Sequence, residues 1–255
     1  VSRPKLLDLF CCEGGASMGY HRAGFDVYGI DLFADYSRKR YPFPARALDV
    51  FHALRLLRPD HLGRGLVFYA AEPSVRGEML LLSDFDAVVA SPPCQRYSIT
   101  NAARQADYPD LIGPTREALQ EWGGLYVIEN VKGAPLENPL TLCGSMFGLS
   151  ATDEDGTPLR MERHRLFESN VHLFAPGPCI HDKAIQVAGS YGGARRDKDE
   201  ARNVRRGGYV PSARVQAELL GIDWMTQKGM HQSIPPVYTE FIGRQLMAHI
   251  EREAA

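Results

Sequence analysis

"KLLDLFCCEGGASMGYHRAGFDVYGIDL", residues 5–32, decides how the rest of the chain is read. Its first six residues form an apolar run suited to a buried strand. The glycines of "EGGASMGYHRAG" then open a helix that ends near Gly24, and "DVYGIDL" (26–32) reads as a second strand. Strand, Gly-rich turn, helix and strand in that order favour a mainly parallel sheet covered by helices. The alternation continues with strand candidates "DAVVAS" (86–91) and "GLYVIENV" (124–131), and a helix over "TREALQEW" (115–122) between them. The final "PPVYTEFIGRQLMAHIEREA" (235–254) has the pattern of an amphipathic helix entered through proline, expected to pack back on the main sheet. The expected class is α/β, with helices on both faces of the sheet.

At 255 residues the chain can bury a substantial core, and one α/β domain with a small appendage is expected rather than two equal domains. An apolar fraction of 44% with 24% charged residues fits a soluble protein. No apolar run approaches the ~20 residues of a membrane helix, and the start lacks the apolar stretch of a signal peptide, so no membrane association and a cytoplasmic location are expected. A formal net charge of −2 argues against a wholly basic nucleic-acid coat but leaves room for a local basic face. The five cysteines, Cys11, Cys12, Cys94, Cys143 and Cys179, show neither a disulfide framework nor a zinc-ligand spacing. A reduced compartment, no metal, and a working role for one of the thiols are the expectations.

That thiol is sought in "AVVASPPCQRYS" (87–98), where a strand-like run ends in two prolines. Neither proline continues a sheet ladder, so Cys94 sits on a rigid loop just past a strand end. In parallel sheets, ligands bind outside the carboxyl ends of the strands, where Gly-rich turns allow close backbone approach. A thiol there is placed as a nucleophile, the alternative being a buried structural cysteine. Asp31, ending the second strand, offers a carboxylate to a ribose diol, although glycines near residue 14 serve equally as a plain turn. Glu129 emerges from the apolar "VIENV", and partial desolvation would hold its proton, as a general acid requires. The plain alternative for Glu129 is a helix cap or salt bridge. "GSYGGARRDKDEARNVRRGGY" (189–209) carries Arg195, Arg196, Arg202, Arg205 and Arg206, a composition that also suits a solvated loop.

Taken in order, "DLFCCEGG", "GID", "SPPCQRYS", "ENV", "RMERHRLFE" and "QSIPP" resemble the cytosine-C5 DNA methyltransferases that use S-adenosylmethionine. The short chain and "LCGSMFGL" (142–149) look most like compact orphan members carried by bacteriophages and prophages. The resemblance implies a Rossmann-like S-adenosylmethionine-dependent methyltransferase fold with a small target-recognition region. It places Phe10, Gly14, Gly15, Asp31, Leu32, Asp49 and Pro92 around the cofactor, with Asp31 on the ribose and Asp49 on the adenine amino group. Cys94 would be the nucleophile, Glu129 would engage the cytosine edge, Arg163 and Arg165 would flank a flipped base, and Asn130 would steady the Cys94 loop. Gln95, Ser98 and the five arginines of 195–206 would meet DNA.

The implied organisation is a catalytic, cofactor-binding domain over 1–170, a target-recognition region over 171–230 whose end (about 210–230) returns to the catalytic domain, and a C-terminal helix in 231–255. The implied activity is methyl transfer to C5 of cytosine in double-stranded DNA by a monomer, with S-adenosylhomocysteine as product. The sequence departs from the family pattern at Cys12, where the first motif usually has glycine, at Met161, where the arginine motif usually opens with glutamine, and at His231 and Gln232 near the end. The rival readings are an RNA (tRNA) cytosine-C5 methyltransferase and a non-catalytic DNA-binding relative. Amine-methylating DNA enzymes also place paired prolines after a strand, but need no cysteine there.

Overall fold

The structure is a computed structural model and describes residues 2–33, 39–58, 65–70, 77–98, 106–190 and 209–254. Among these the strands are β1 (Lys5–Leu9), β2 (Asp26–Asp31), β3 (Ala45–Ala47), β4 (Leu66–Phe68), β5 (Glu78–Leu80), β6 (Ala87–Ala90), β7 (Leu125–Asn130), β8 (Leu140–Leu142), β9 (Ser150–Thr152), β10 (Pro158–Met161), β11 (Arg165–Ser169) and β12 (Gln186–Ala188). The helices are α1 (Gly15–Ala23), α2 (Val50–Leu57), α3 (Ile112–Trp122), α4 (Ala213–Leu220), α5 (Gln227–Gln232) and α6 (Pro236–Glu253).

β1 lies inside a seven-stranded sheet of order β3-β2-β1-β6-β7-β11-β8. The run from β3 to β7 is parallel, and β11 lies antiparallel between β7 and β8. The chain moves outward from β1 through β2 to β3, then returns to the other side of β1 as β6. The carboxyl ends of β1 and β6 therefore diverge into a crevice at the switch in strand order.

Strands buried on both faces must be apolar on both, and β6, Ala87–Ala90, is buried throughout. On one face Leu6, Val27, Val89 and Val127 meet Tyr20 of α1 and Tyr238, Ile242 and Leu246 of α6. On the other, Leu7, Leu9, Val88 and Ile128 meet Leu54 and Leu57 of α2 and Leu119 of α3. Gly19 lets α1 and α6 approach closely, because a methyl group there would collide with Thr239 and the Pro236 carbonyl. Thr239 Oγ1 donates to the Ala16 carbonyl at 2.9 Å across that contact.

A smaller three-stranded sheet, β12-β10-β9, packs Leu159 and Met161 against Val215, Leu219 and Leu220 of α4 and Met230 of α5. It takes β9 and β10 from before residue 170 and β12 from after it, so the small unit begins earlier in the chain than the expected 171–230 region. Arg195, Arg196, Arg202, Arg205 and Arg206 lie outside the described residues. No helix among the described residues is long and apolar enough to cross a membrane.

Candidate active site

A cleft of about 350 Å³ opens at the carboxyl ends of β1, β2, β6 and β7. Its walls include Phe10, Gly15, Asp31 and Leu32 at one end, and Pro92, Cys94, Gln95, Glu129 and Arg165 at the other. The wall that closes it runs from Met225 through Ile234, residues 225–234, beyond the small sheet in sequence.

The first end is shaped by backbone. Phe10 and Cys12 take φ of 61° and 50°, and Gly14 takes 86°, so the chain after β1 turns through successive left-handed positions. Cys12 adopts there a conformation that glycine reaches without strain, at a cost of about 1–2 kcal/mol for a residue bearing Cβ. Its N–H donates to Asp31 Oδ2 at 2.8 Å, and its thiol donates to Gln232 Oε1 at 3.5 Å. The turn after β1 thus touches the end of α5 through Cys12 and Gln232. Burial raises the pKa of Asp31, opposed by the Cys12 and Leu32 amides. Leu32 is 71% exposed at the lip, an apolar surface suited to the face of a purine. Gly14 forms the turn without entering the cleft wall. Asp49 does not line the cleft either: it caps α2 by accepting from the His52 amide at 2.9 Å.

At the second end, Asn130 Nδ2 donates to the Pro92 carbonyl at 2.9 Å and ties the loop after β6 to the end of β7. Cys94 begins a 3-10 turn over Gln95–Tyr97, with Ser98 ending it. Burial raises the Cys94 thiol, which Arg165 opposes and Glu129 reinforces. Glu129 is itself buried, and desolvation raises its carboxyl against the opposing effects of Arg165, a Ser91 hydrogen bond and Arg163. Arg165 Nε lies 3.0 Å from Glu129 Oε1, yet that oxygen has no aligned donor. That oxygen is held by the ion pair with Arg165 and belongs to a residue that lines the cleft.

The arginine pair is divided. Arg165 enters the cleft wall, whereas Arg163 does not. Arg163 is 4% exposed, and its guanidinium donates to the carbonyls of Ser190, Met230, His231 and Ser233. It is a clamp between the strand loop, the small unit and the 230–233 segment. Its φ of 31° explains the split. In regular extended backbone Arg163 and Arg165 would face the same way.

Three features escaped the sequence reading. Glu13, 1% exposed in the Gly-rich turn, accepts from the Thr226 amide and hydroxyl, both at 2.7 Å, and anchors the segment that closes the cleft. Asp8, inside β1, lines the cleft floor, accepts from Ser17 Oγ, and is pushed up to about 7 by burial. Both carboxylates sit in or beside an apolar strand, a pattern visible in "DLFCCEGG" but not decisive there. Finally, Cys143, His164, Cys179 and His181 converge, against the expectation that the cysteines offer no ligand set.

No family model matches the chain. It is 27% identical over 137 residues to the type II methyltransferase M.AquIA of a Picosynechococcus strain, a match covering 51% of this chain and 49% of that protein. The chain therefore spans about half the length of the curated relative it matches. Among solved structures, a prophage-encoded E. coli chain assigned as a DNA modification methyltransferase superposes with a TM-score of 0.55 at 14% identity, covering 98% of this chain and 99% of that one. The S. pombe Dnmt2 methyltransferase superposes with a TM-score of 0.56 at 12% identity, again covering 98% and 99%. The chain has sequence homology to a methyltransferase and the Rossmann-like fold of the S-adenosylmethionine-dependent enzymes.

Proposed function

We propose that this chain transfers a methyl group from S-adenosylmethionine to C5 of cytosine in double-stranded DNA, through a covalent bond between Cys94 and C6. The observation that carries the proposal is the single cleft that joins Asp31 and Leu32 to Cys94, Glu129 and Arg165. The donor set of the first end suits the cofactor: carboxylate oxygens for a ribose diol at Asp31, an exposed aliphatic face at Leu32, and a glycine wall at Gly15. When bound there, S-adenosylmethionine supplies an electrophilic methyl group.

Cytosine C5 is too weak a nucleophile to take that methyl directly. As Cys94 loses its proton to solvent, its sulfur bonds to C6, and the displaced electrons run to N3, which takes the proton of Glu129. Burial suits Glu129 to this role, because a desolvated carboxyl retains its proton closer to neutrality. C5 is then an enamine carbon able to accept the methyl. Loss of the C5 proton to solvent water expels the Cys94 sulfur as thiolate and restores the ring, and N3 returns its proton to Glu129. Arg165, beside both groups, favours the thiolate and compensates the charge left on Glu129 once its proton has moved to N3. The Pro92–Asn130 bond fixes the sulfur, since misplacement by an ångström costs on the order of a hundredfold.

A base inside a duplex hides C6, so the target must swing out at a cost of a few kcal/mol. The test is incubation of the purified chain with labelled S-adenosylmethionine and duplex DNA or tRNA, followed by hydrolysis and mass spectrometry of the nucleosides. Label in 5-methyldeoxycytidine is the expected result. Label in an exocyclic amine refutes the mechanism, and label in RNA alone refutes the substrate.

A further inference from the structure

We infer that Cys143, His164, Cys179 and His181 form a structural zinc site, separate from the cleft and independent of the reaction proposed for it. One donor atom from each of the four lies within 4.8 Å of all the others. Cys143 Sγ is 3.3 Å from His181 Nε2, Cys179 Sγ is 3.1 Å from the same nitrogen, and His164 Nε2 is 3.4 Å from Cys179 Sγ. A tetrahedral zinc ion with Zn–S of ≈ 2.3 Å and Zn–N of ≈ 2.0–2.1 Å implies ligand-to-ligand edges of roughly 3.3–3.8 Å. Three of the six edges are already near that size, and the other three lie within 4.8 Å. Two thiolates and two neutral imidazoles also balance the charge of the ion.

The surroundings are those of a metal site. His181 turns Nε2 toward the sulfurs, while its Nδ1 lies 3.4 Å from Glu162 Oε1. A carboxylate on the far nitrogen fixes ring orientation and tautomer in metal-bound histidines. Glu162 is held in turn by Arg160. Ser145 Oγ donates to Cys143 Sγ at 3.3 Å, as a hydroxyl does to a thiolate. Cys179 and Ile180 are both exposed, while Cys143 is buried and His164 and His181 are half-buried, so the set spans from the interior to the surface.

Four protein donors leave no open position, which makes the site structural rather than catalytic. Its effect is on the strand loop that carries the arginines. Cys143 follows β8, Cys179 and His181 follow β11, and His164 lies between Arg163 and Arg165. The Gly144 amide donates to the Glu162 carbonyl at 2.7 Å, which brings Cys143 beside that loop. Zinc would hold His164 outward while Arg163 points into its carbonyls and Arg165 into the cleft, and would thereby maintain the φ of 31° that separates them.

The experiment is metal analysis of the full chain, expressed with added zinc and purified without chelator. About one zinc per chain is expected. Replacement by cobalt should give the intense visible bands of a tetrahedral ion and near-ultraviolet thiolate charge transfer. Cys179→Ser combined with His181→Ala should lose at least nine-tenths of the metal, while Cys12→Ser and Cys94→Ser retain it. Should the double variant not fold, thiol alkylation of the parent, mapped by peptide mass spectrometry, decides the point. Zinc must then protect Cys179, the exposed thiol of the set, with protection lost on chelation. A metal-free parent, an octahedral cobalt spectrum, a Cys143–Cys179 disulfide, or equal alkylation with and without zinc would overturn the assignment.

Discussion

The carboxyl ends of the parallel strands and the small unit beside them both bury charged groups, with opposite results. In the small unit and the segment next to it, the buried charge of Arg163 is fully partnered, while two other groups, Ser212 Oγ and His231 Nε2, are buried without an aligned hydrogen bond. Arg163 meets four carbonyls, and Ser190 donates to Gln216, which donates to the Pro211 carbonyl. At the strand ends, Glu129 keeps an oxygen without an aligned donor, and burial pushes Cys94, Glu129, Asp31 and Asp8 toward their neutral forms. A satisfied buried charge holds a fold together. Glu129 is ion-paired by Arg165 but keeps one oxygen without an aligned hydrogen bond on a residue that lines the crevice, the kind of environment found at functional sites.

The sharpest way to break this contrast is at Cys94. Replacement by alanine should lower methyl transfer by at least ~1000-fold, because removing a covalent nucleophile removes the pathway and not merely a contact. The melting temperature should stay near that of the parent, since Cys94 lies in the cleft wall on a surface loop and not in the core. Duplex DNA carrying 5-fluorocytosine should form a stable adduct with the parent and none with Cys94→Ser, because fluorine at C5 does not leave as a proton does. An adduct that persists in the variant would assign the nucleophile to another residue.

Two arginines separated by one residue give the next contrast. Arg163→Ala takes the guanidinium from the carbonyls of Ser190, His231 and Ser233, and should destabilise the chain by a few kcal/mol, at about 1–3 kcal/mol for each buried group left unsatisfied, read by chemical denaturation. Arg163→Lys should recover little, because an ammonium lacks the planar fork that reaches several carbonyls at once. Arg165→Ala should instead cost roughly 10²–10³-fold in turnover with little loss of stability. If the two variants exchange these behaviours, the division of the pair read from the structure is wrong.

The same pair shows what the sequence discloses and what it hides. β1, β2, β6 and β7, with α1, α3 and α6, were legible because runs of four or more residues carry a period and end in glycine or proline. β3, β4, β5, β8, β9 and β12 are three residues each, too short to show one. Asp31 and Glu129 lie at the ends of β2 and β7, Phe10 and Cys94 follow β1 and β6, and all four line the cleft as their motif positions suggested, whereas Asp49 caps α2. The fate of Arg163 depends on a positive φ, which no alternation pattern encodes. The ligands at 143, 164, 179 and 181 meet only because β8 pairs with β11, and that pairing is a property of the folded sheet.

Asp8 tests whether strand-end burial carries a thermodynamic penalty. Its pKa rises from 3.8 unfolded to about 7 in the fold. A raised carboxyl pKa contributes stability that is complete below the unfolded value and is lost as pH climbs through the folded one. Asp8→Asn keeps an acceptor for Ser17 and removes the ionisation. Its stability relative to the parent should therefore grow between pH of about 4 and 7, by on the order of a few kcal/mol, and then level off. Urea denaturation at several pH values measures the gap. A constant difference would mean that the carboxyl titrates alike in both states.

Asp31 should give the smallest effect and discriminates most finely, because it has both kinds of duty. One oxygen accepts from the Cys12 amide and supports the turn, and the carboxylate also faces the cleft. Asp31→Ala removes both and should weaken S-adenosylmethionine binding by ~1.5–3 kcal/mol, the range for a hydrogen bond to a charged group. Asp31→Asn retains an acceptor for Cys12 but has neither the charge nor the second acceptor that a diol requires. If cofactor recognition is the duty that matters, calorimetry will find the asparagine variant nearly as weak as the alanine one, with turnover at saturating cofactor little changed in either. If the turn is what matters, asparagine will restore affinity while alanine does not, and Asp31 then belongs with Arg163 among the groups that support the cleft without meeting its ligand.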